Sequence, residues 1–191
     1  MIVGIDFDNT LVCYDTIFWK IAREQGVIPP LLPKLKDEVR GHLRFSGAED
    51  LWTELQGIVY GKRIIEADPF PGAIDFITNA KKRGHKIAII SHRTKHPVIG
   101  EKTDLHAAAR LWLASKGLEQ VPAFFETTRA LKISRINALS CAVFLDDLIE
   151  VFEEPDFPAS TRKILFDPYS RYSGALSRVG SWTEFGSSAG L

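Results

Sequence analysis

The sequence predicts an α/β protein, a doubly wound parallel sheet carrying a small all-α cap. Two observations predict it. Continuous apolar runs that end in polar residues alternate with amphipathic stretches, the pattern of parallel strands buried on both faces beneath helices. Between about residues 14 and 69 that alternation stops and only helical periodicity remains.

The first run is IVGIDFD at 2–8. Residues 2 to 5 read as a buried strand, and the two-residue period puts Asp6 and Asp8 on the same side just where it ends. Two carboxylates this close repel each other, so a bound cation, a shared proton or free hydration must offset the repulsion. Taken alone, Asp8, Asn9 and Thr10 read equally well as a capped turn.

Three helical pieces follow: DTIFWKIAREQG, KLKDEVRGHLRF and AEDLWTELQGIVYG. Prolines 29, 30 and 33 separate the first two, and DPFPGA at 68–73 stiffens the return. The simplest arrangement is a cap of residues 14–69 inserted into a core of residues 1–13 and 70–191. The alternative is that these helices cover one face of the sheet. Phe18, Trp19, Trp52 and Tyr60 fall at helical spacings and predict the core of this insert.

The alternation then resumes. AIDFITNAKKRG at 73–84 predicts a helix closed by a glycine, and KIAIISH at 86–92 a strand ending at Ser91. The basic loop SHRTKHPVIGEKTD at 91–104 offers Arg93 and Lys95 as contacts for a second anionic group on a substrate, or for an acidic partner. Pro97 argues against a helix that would pair His92 with His96 on a metal. A helix at 104–117, a short strand AFFET at 123–127, AVFLDD at 142–147 and KILFD at 163–167 complete the pattern, and the tail from Gly186 reads as disordered. Asp146 and Asp147 are either site residues or the N-cap of a following helix.

Bulk properties narrow the function. Lysine plus arginine equals aspartate plus glutamate, 24 each, which argues against a surface that coats nucleic acid. No run reaches the roughly 18 apolar residues of a membrane span. The chain starts on a strand rather than a basic leader, and Cys13 and Cys141 form no CxxC, so a reducing cytoplasm is the expected location. No glycine-rich nucleotide loop is present.

What distinguishes the chain is the set: two acidic pairs at the ends of two strands, with Ser91 and Lys132 between them. In this the sequence resembles the haloacid dehalogenase superfamily of phosphohydrolases over nearly its whole length. DFDNT at 6–10 matches the first motif, DxDx[TV]; IIS at 89–91 the second; Lys132 the third; and FLDD at 144–147 the acidic fourth. The insert is similar in position to the helical cap of many members.

The resemblance implies a Rossmann-like core and a Mg²⁺-dependent phosphomonoester hydrolase working through an aspartyl phosphate on a small phosphorylated metabolite. Asp6 is then the nucleophile and Asp8 the general acid and base. Mg²⁺ is held by Asp6, the backbone carbonyl of Asp8, Asp146 and a second acid, either Asp147 or Glu150. Ser91 and Lys132, together with Thr10 and His92, form the phosphate site, with Arg129 and Arg135 competing with Lys132 for the third motif. Asp8 itself favours a phosphate ester over a carbon–halogen substrate.

The identity of the ester stays open. A phosphomutase or phosphotransferase shares the first half-reaction, and a silent member would act as a binding module. A receiver-type signalling domain has its acidic pair and its phosphorylated aspartate in the reverse order.

Overall fold

A computed structural model describes residues 1–190. Two units cluster within it, one of residues 1–12, 69–93 and 120–190, the other of residues 13–68 and 94–119.

The first unit is built on six strands. β1 (Ile2–Ile5), β4 (Lys86–His92), β5 (Ala123–Glu126), β6 (Val143–Asp146), β7 (Arg162–Phe166) and β8 (Arg178–Val179) form one parallel sheet in the order β5-β4-β1-β6-β7-β8. The short strands β2 (Val12–Cys13) and β3 (Asp68–Pro69) pair with each other where the chain leaves this unit and returns to it. From β1 the chain adds β4 and β5 outward on one side, then places β6, β7 and β8 on the other. The reversal falls at β1, and in open parallel sheets the carboxyl ends at such a point form the ligand crevice.

Both faces of the sheet are covered. On one, Ala88 and Ile90 of β4, Phe144 and Leu165 pack with Ile133 and Ile136 of α6 (Arg129–Ala138) and with Val151 and Phe152 of α7 (Ile149–Phe152). On the other, Phe166 meets Phe70 and Trp182, and Phe76 of α4 (Ala73–Lys82) meets Trp182 and Phe185 of α8 (Trp182–Ala189). The tail expected to be disordered from Gly186 is therefore helical through Ala189. Ser181 starts α8 by accepting a bond from the Glu184 amide, and Phe185 and Ala189 are buried on its inner face. Leu191 lies outside the described residues.

In the second unit, α1 (Asp15–Glu24), α2 (Lys36–Phe45) and α3 (Glu49–Tyr60) bury Ile17, Phe18, Ile21, Val39, Leu43, Trp52, Leu55 and Val59. Phe18 stacks on Trp52 at 4.7 Å between ring centroids, and Tyr14 meets Tyr60 edge-on at 4.9 Å. Lys36 lies over the rings of Tyr14, Phe18 and Tyr60. The unit extends beyond the predicted insert 14–69, because residues 94–119 cluster with it rather than with the sheet. The reason is in α5 (Leu105–Ser115): buried Trp112 donates to the Ala67 carbonyl at 2.8 Å, next to the 3-10 turn Ile64–Glu66. Gly57 of α3 admits the 97–99 backbone, where an added Cβ would stand 3.0 Å from the Ile99 oxygen.

Gly4 is fixed by close approach of a different kind. A Cβ there would fall 2.5 Å from Cδ2 of Phe144, its register partner on β6, and 3.0 Å from Sγ of Cys141. Overpacking of this sort costs roughly 1–3 kcal/mol, so Gly4→Ala should lower the free energy of urea unfolding by about that much. An unchanged unfolding midpoint would mean that the Phe144 ring can move aside.

Candidate active site

Each candidate side chain is set by the end of a β-strand or the first turn of a helix. The Asp6 amide continues the sheet ladder by donating to the Leu145 carbonyl at 2.9 Å, which places Asp6 one residue beyond β1. Beyond it the chain turns: the amides of Leu11 and Val12 both donate to the Phe7 carbonyl, with Asn9 in the left-handed region at φ 56°. Asparagine is among the few non-glycine residues that accept this conformation readily. Ser91 lies in the last turn of pleat of β4, and Asp146 closes β6. Lys132 rides on α6, whose start is fixed by the Thr128 hydroxyl accepting from the Leu131 amide.

These elements converge on one buried ion triad. Lys132 Nζ donates to Asp6 Oδ1 and to Asp146 Oδ2, each at 2.6 Å, and the three side chains are 2, 5 and 0 % exposed. The other oxygen of Asp146 accepts from the Leu148 amide at 3.0 Å, which turns the chain into α7. Neither Asp146 nor Asp147 is the N-cap of that helix, as the sequence allowed: the N-cap is Leu148, with no side-chain cap bond, and Asp146 only secures the turn before it. The competing cations face elsewhere: Arg129 pairs with Glu154 and Arg135 with Glu126.

Carboxylate oxygens of Asp6, Asp146 and Asp147 lie within 4.8 Å of one another. Among the described residues Glu150 is not in this group. Thr10 Oγ1 donates to Asp147 Oδ1 at 3.4 Å, tying the turn after β1 to the end of β6. Burial pushes the Asp6 carboxyl well above its usual range; Lys132 opposes that, while Asp146, Asp147 and Asp8 add to it. Burial alone would lower Lys132, yet Asp146 and Asp6 hold it above its ordinary value. One ammonium therefore faces three carboxylates, and the site is short of positive charge. A hard divalent cation with oxygen ligands fits that deficit and that donor set.

Asp8 stands apart from this group. Its Oδ1 accepts from Arg93 Nη1 and its Oδ2 from Ser91 Oγ at 3.4 Å. His92 is exposed at the end of β4, its basicity lowered by partial burial and by Lys132. Lys95 is exposed in the second unit, 3.9 Å from Asp104. The first unit thus gathers Asp6, Asp8, Thr10, Ser91, Arg93, Lys132, Asp146 and Asp147 along one edge of the sheet.

Asp167 was passed over in the sequence, although KILFD ends in an acid just as the two motif strands do. It is buried beyond β7 and accepts from the amides of Arg171 and Tyr172 at 2.8 and 3.0 Å, organising the loop that leads to β8. Burial and the charges of Glu150, Asp147 and Asp167 raise the Tyr172 phenol.

No family model matches the chain. A Bacillus cereus protein named "Putative nucleotidase" is 25% identical over 202 residues, covering 96% of this chain and 95% of that one. Solved structures resemble it throughout at lower identity. They include a haloacid-dehalogenase-superfamily hydrolase from Ehrlichia chaffeensis (14% identical, 96% of this chain and 93% of that one, TM-score 0.54) and a phosphatase of the same superfamily from Thermococcus onnurineus (14%, 98% and 97%, TM-score 0.54). A third is Protein Tyrosine Kinase A of Mycobacterium tuberculosis (14%, 100% and 98%, TM-score 0.63). With its parallel sheet reversing at β1 and its acidic residues gathered there, the chain has the fold of the haloacid dehalogenase superfamily.

Proposed function

We propose that the protein is a phosphomonoester hydrolase that works through an aspartyl phosphate on Asp6 and requires Mg²⁺. The observation that carries this reading is the separation of two acidic functions at one sheet edge. Asp6 sits with Asp146 and Asp147 around Lys132, while Asp8 is held independently by Arg93 and Ser91.

The steps follow from those positions. A carboxylate oxygen of Asp6 attacks phosphorus, the bond to the leaving oxygen breaks, and Asp8 gives that oxygen its proton. Asp8 then takes a proton from the water that attacks the aspartyl phosphate, so the second displacement restores both carboxyl groups and releases inorganic phosphate. Lys132 and Ser91 supply donors for the equatorial phosphoryl oxygens, and Thr10 and His92 complete the phosphate site in this reading. Asp6, Asp146, Asp147 and the Asp8 carbonyl would hold the Mg²⁺, which supplies charge neutralisation for the carboxylates and the phosphoryl group when bound.

The substrate in this reading is a small phosphate ester. The name of the Bacillus cereus relative puts nucleoside monophosphates at the head of the panel to be tried. Unpaired Cys13 and Cys141 fit a cytoplasmic location.

Release of inorganic phosphate from a panel of esters, with Mg²⁺ and with chelator, tests the reading. Turnover should require the metal and fall by at least about a thousandfold in Asp6→Asn. Retained hydrolysis in that variant would remove Asp6 as nucleophile. Saturating Mg²⁺ should raise the melting temperature of the wild type, by about 2.7 kcal/mol of stabilisation at a hundred times its Kd, and Asp147→Asn should shrink that shift. Lys132→Met should cost roughly 3–5 kcal/mol in urea unfolding, because it leaves two buried carboxylates without their counter-ion. A stability equal to that of the wild type would show that the triad is not charged as described.

A further inference from the structure

We propose, building on the hydrolase reading, that Arg93 is a positioning residue: its guanidinium holds the Asp8 carboxylate in one orientation, apart from the carboxylates of Asp6, Asp146 and Asp147. The sequence offered Arg93 as a basic loop residue open to a substrate anion. Its surroundings are of another kind. The side chain is 3 % exposed, against 59 % for Lys95 two residues on. A surface cation that greets a substrate keeps its hydration, whereas this one has given it up for a carboxylate and for the ring of Phe7, 5.6 Å away.

The anchorage of Arg93 is equally specific. Its amide donates to the Glu126 carbonyl at 2.7 Å, carrying the pairing of β4 with β5 one residue past the strand. The base of the side chain is thereby part of the sheet. Ser91, two residues earlier, donates to the second oxygen of Asp8, so the end of β4 presents two donors to the two oxygens of one carboxylate. β4 is in turn registered on β1, with Ile5 opposite Ile89. Asp8 is the more open partner at 21 % exposure, as suits a group that must exchange a proton with a leaving oxygen and then with water.

The arrangement answers a difficulty peculiar to a DxD strand end. A second carboxylate two residues from Asp6 is free to turn toward the same cation that serves the first, and would then be lost to the leaving group. Lys132 binds Asp6 and Asp146, Arg93 binds Asp8, and the two cations keep the acids in separate places.

The test compares kcat and KM on p-nitrophenyl phosphate, whose leaving group departs without a proton, and on an alkyl phosphate, whose leaving group needs one. It uses the wild type, Arg93→Lys, Arg93→Ala, Asp8→Asn and the Asp8→Asn/Arg93→Ala double variant. The alkyl ester should lose at least about tenfold more kcat/KM, which reports formation of the aspartyl phosphate, than the aryl ester in Arg93→Ala, with partial recovery in Arg93→Lys. In the Asp8→Asn background the Arg93 substitution should have no further selective effect, because the group it orients is already disabled.

A rise in KM at constant kcat would overturn the proposal in favour of a substrate contact. Equal losses of kcat/KM on both esters, additive with Asp8→Asn, would overturn it in favour of a purely structural ion pair. Wild-type protein that hydrolyses neither ester nor any other would instead defeat the hydrolase reading, and with it the role given to Arg93. Circular dichroism checks folding of each variant, and Arg93→Gln replaces Arg93→Ala in the comparison if the latter does not fold.

Discussion

The buried ammonium of Lys132 is the constraint on which the rest of the site depends. Three elements distant in sequence must deliver their groups to the same point: the end of β1 brings Asp6, the end of β6 brings Asp146, and the first turns of α6 bring the lysine. Burying such a triad is expensive, and well-packed apolar side chains of similar volume would often be at least as stable. Its presence is therefore better explained by chemistry at the sheet edge than by stability. The geometry also sets tolerances, since a shift of one residue in the pairing of β1 with β6 would turn Asp6 to the opposite face of the sheet.

Around that centre the protein separates like charges by giving each a partner with its own anchorage. Lys132 comes from a helix whose start is fixed by Thr128, and Arg93 from the extension of β4 held by Glu126. Asp147 is drawn toward Thr10 and Asp146 toward the Leu148 amide. Four carboxylates that would repel one another in free chain are kept close without being merged.

Much of this was legible in the sequence. Every strand predicted from an apolar run exists within a residue or three, because a strand buried on both faces writes its length as uninterrupted hydrophobicity. The motif acids were legible because they end such runs. What stayed hidden depends on distance along the chain. The pairing of Arg93 with Asp8 joins residues 85 apart and follows from strand register, which periodicity does not encode. Arg129, Lys132 and Arg135 recur at three-residue spacing, so only the packing of α6 could say which one turns inward. β2, β3 and β8 are two residues each, too short for a period to register. The helix α8 was missed because Gly, Ser and Ala at 186–189 resemble a tail, while its anchors are Trp182 and Phe185 just before.

The grouping of residues 94–119 with the helices of residues 13–68 bears on how such a protein can be altered by recombination. A module spliced into a single loop can be exchanged with one cut at each side. Here the chain leaves the sheet-bearing unit after Val12 and again after Arg93, so the helical unit is assembled from two separate segments. Replacing residues 13–68 alone would deprive Trp112 of the Ala67 carbonyl and leave α5 facing a foreign surface. Any change of helical module therefore has to be made at two loci together, and one of its junctions falls immediately after Arg93, the residue that grips Asp8.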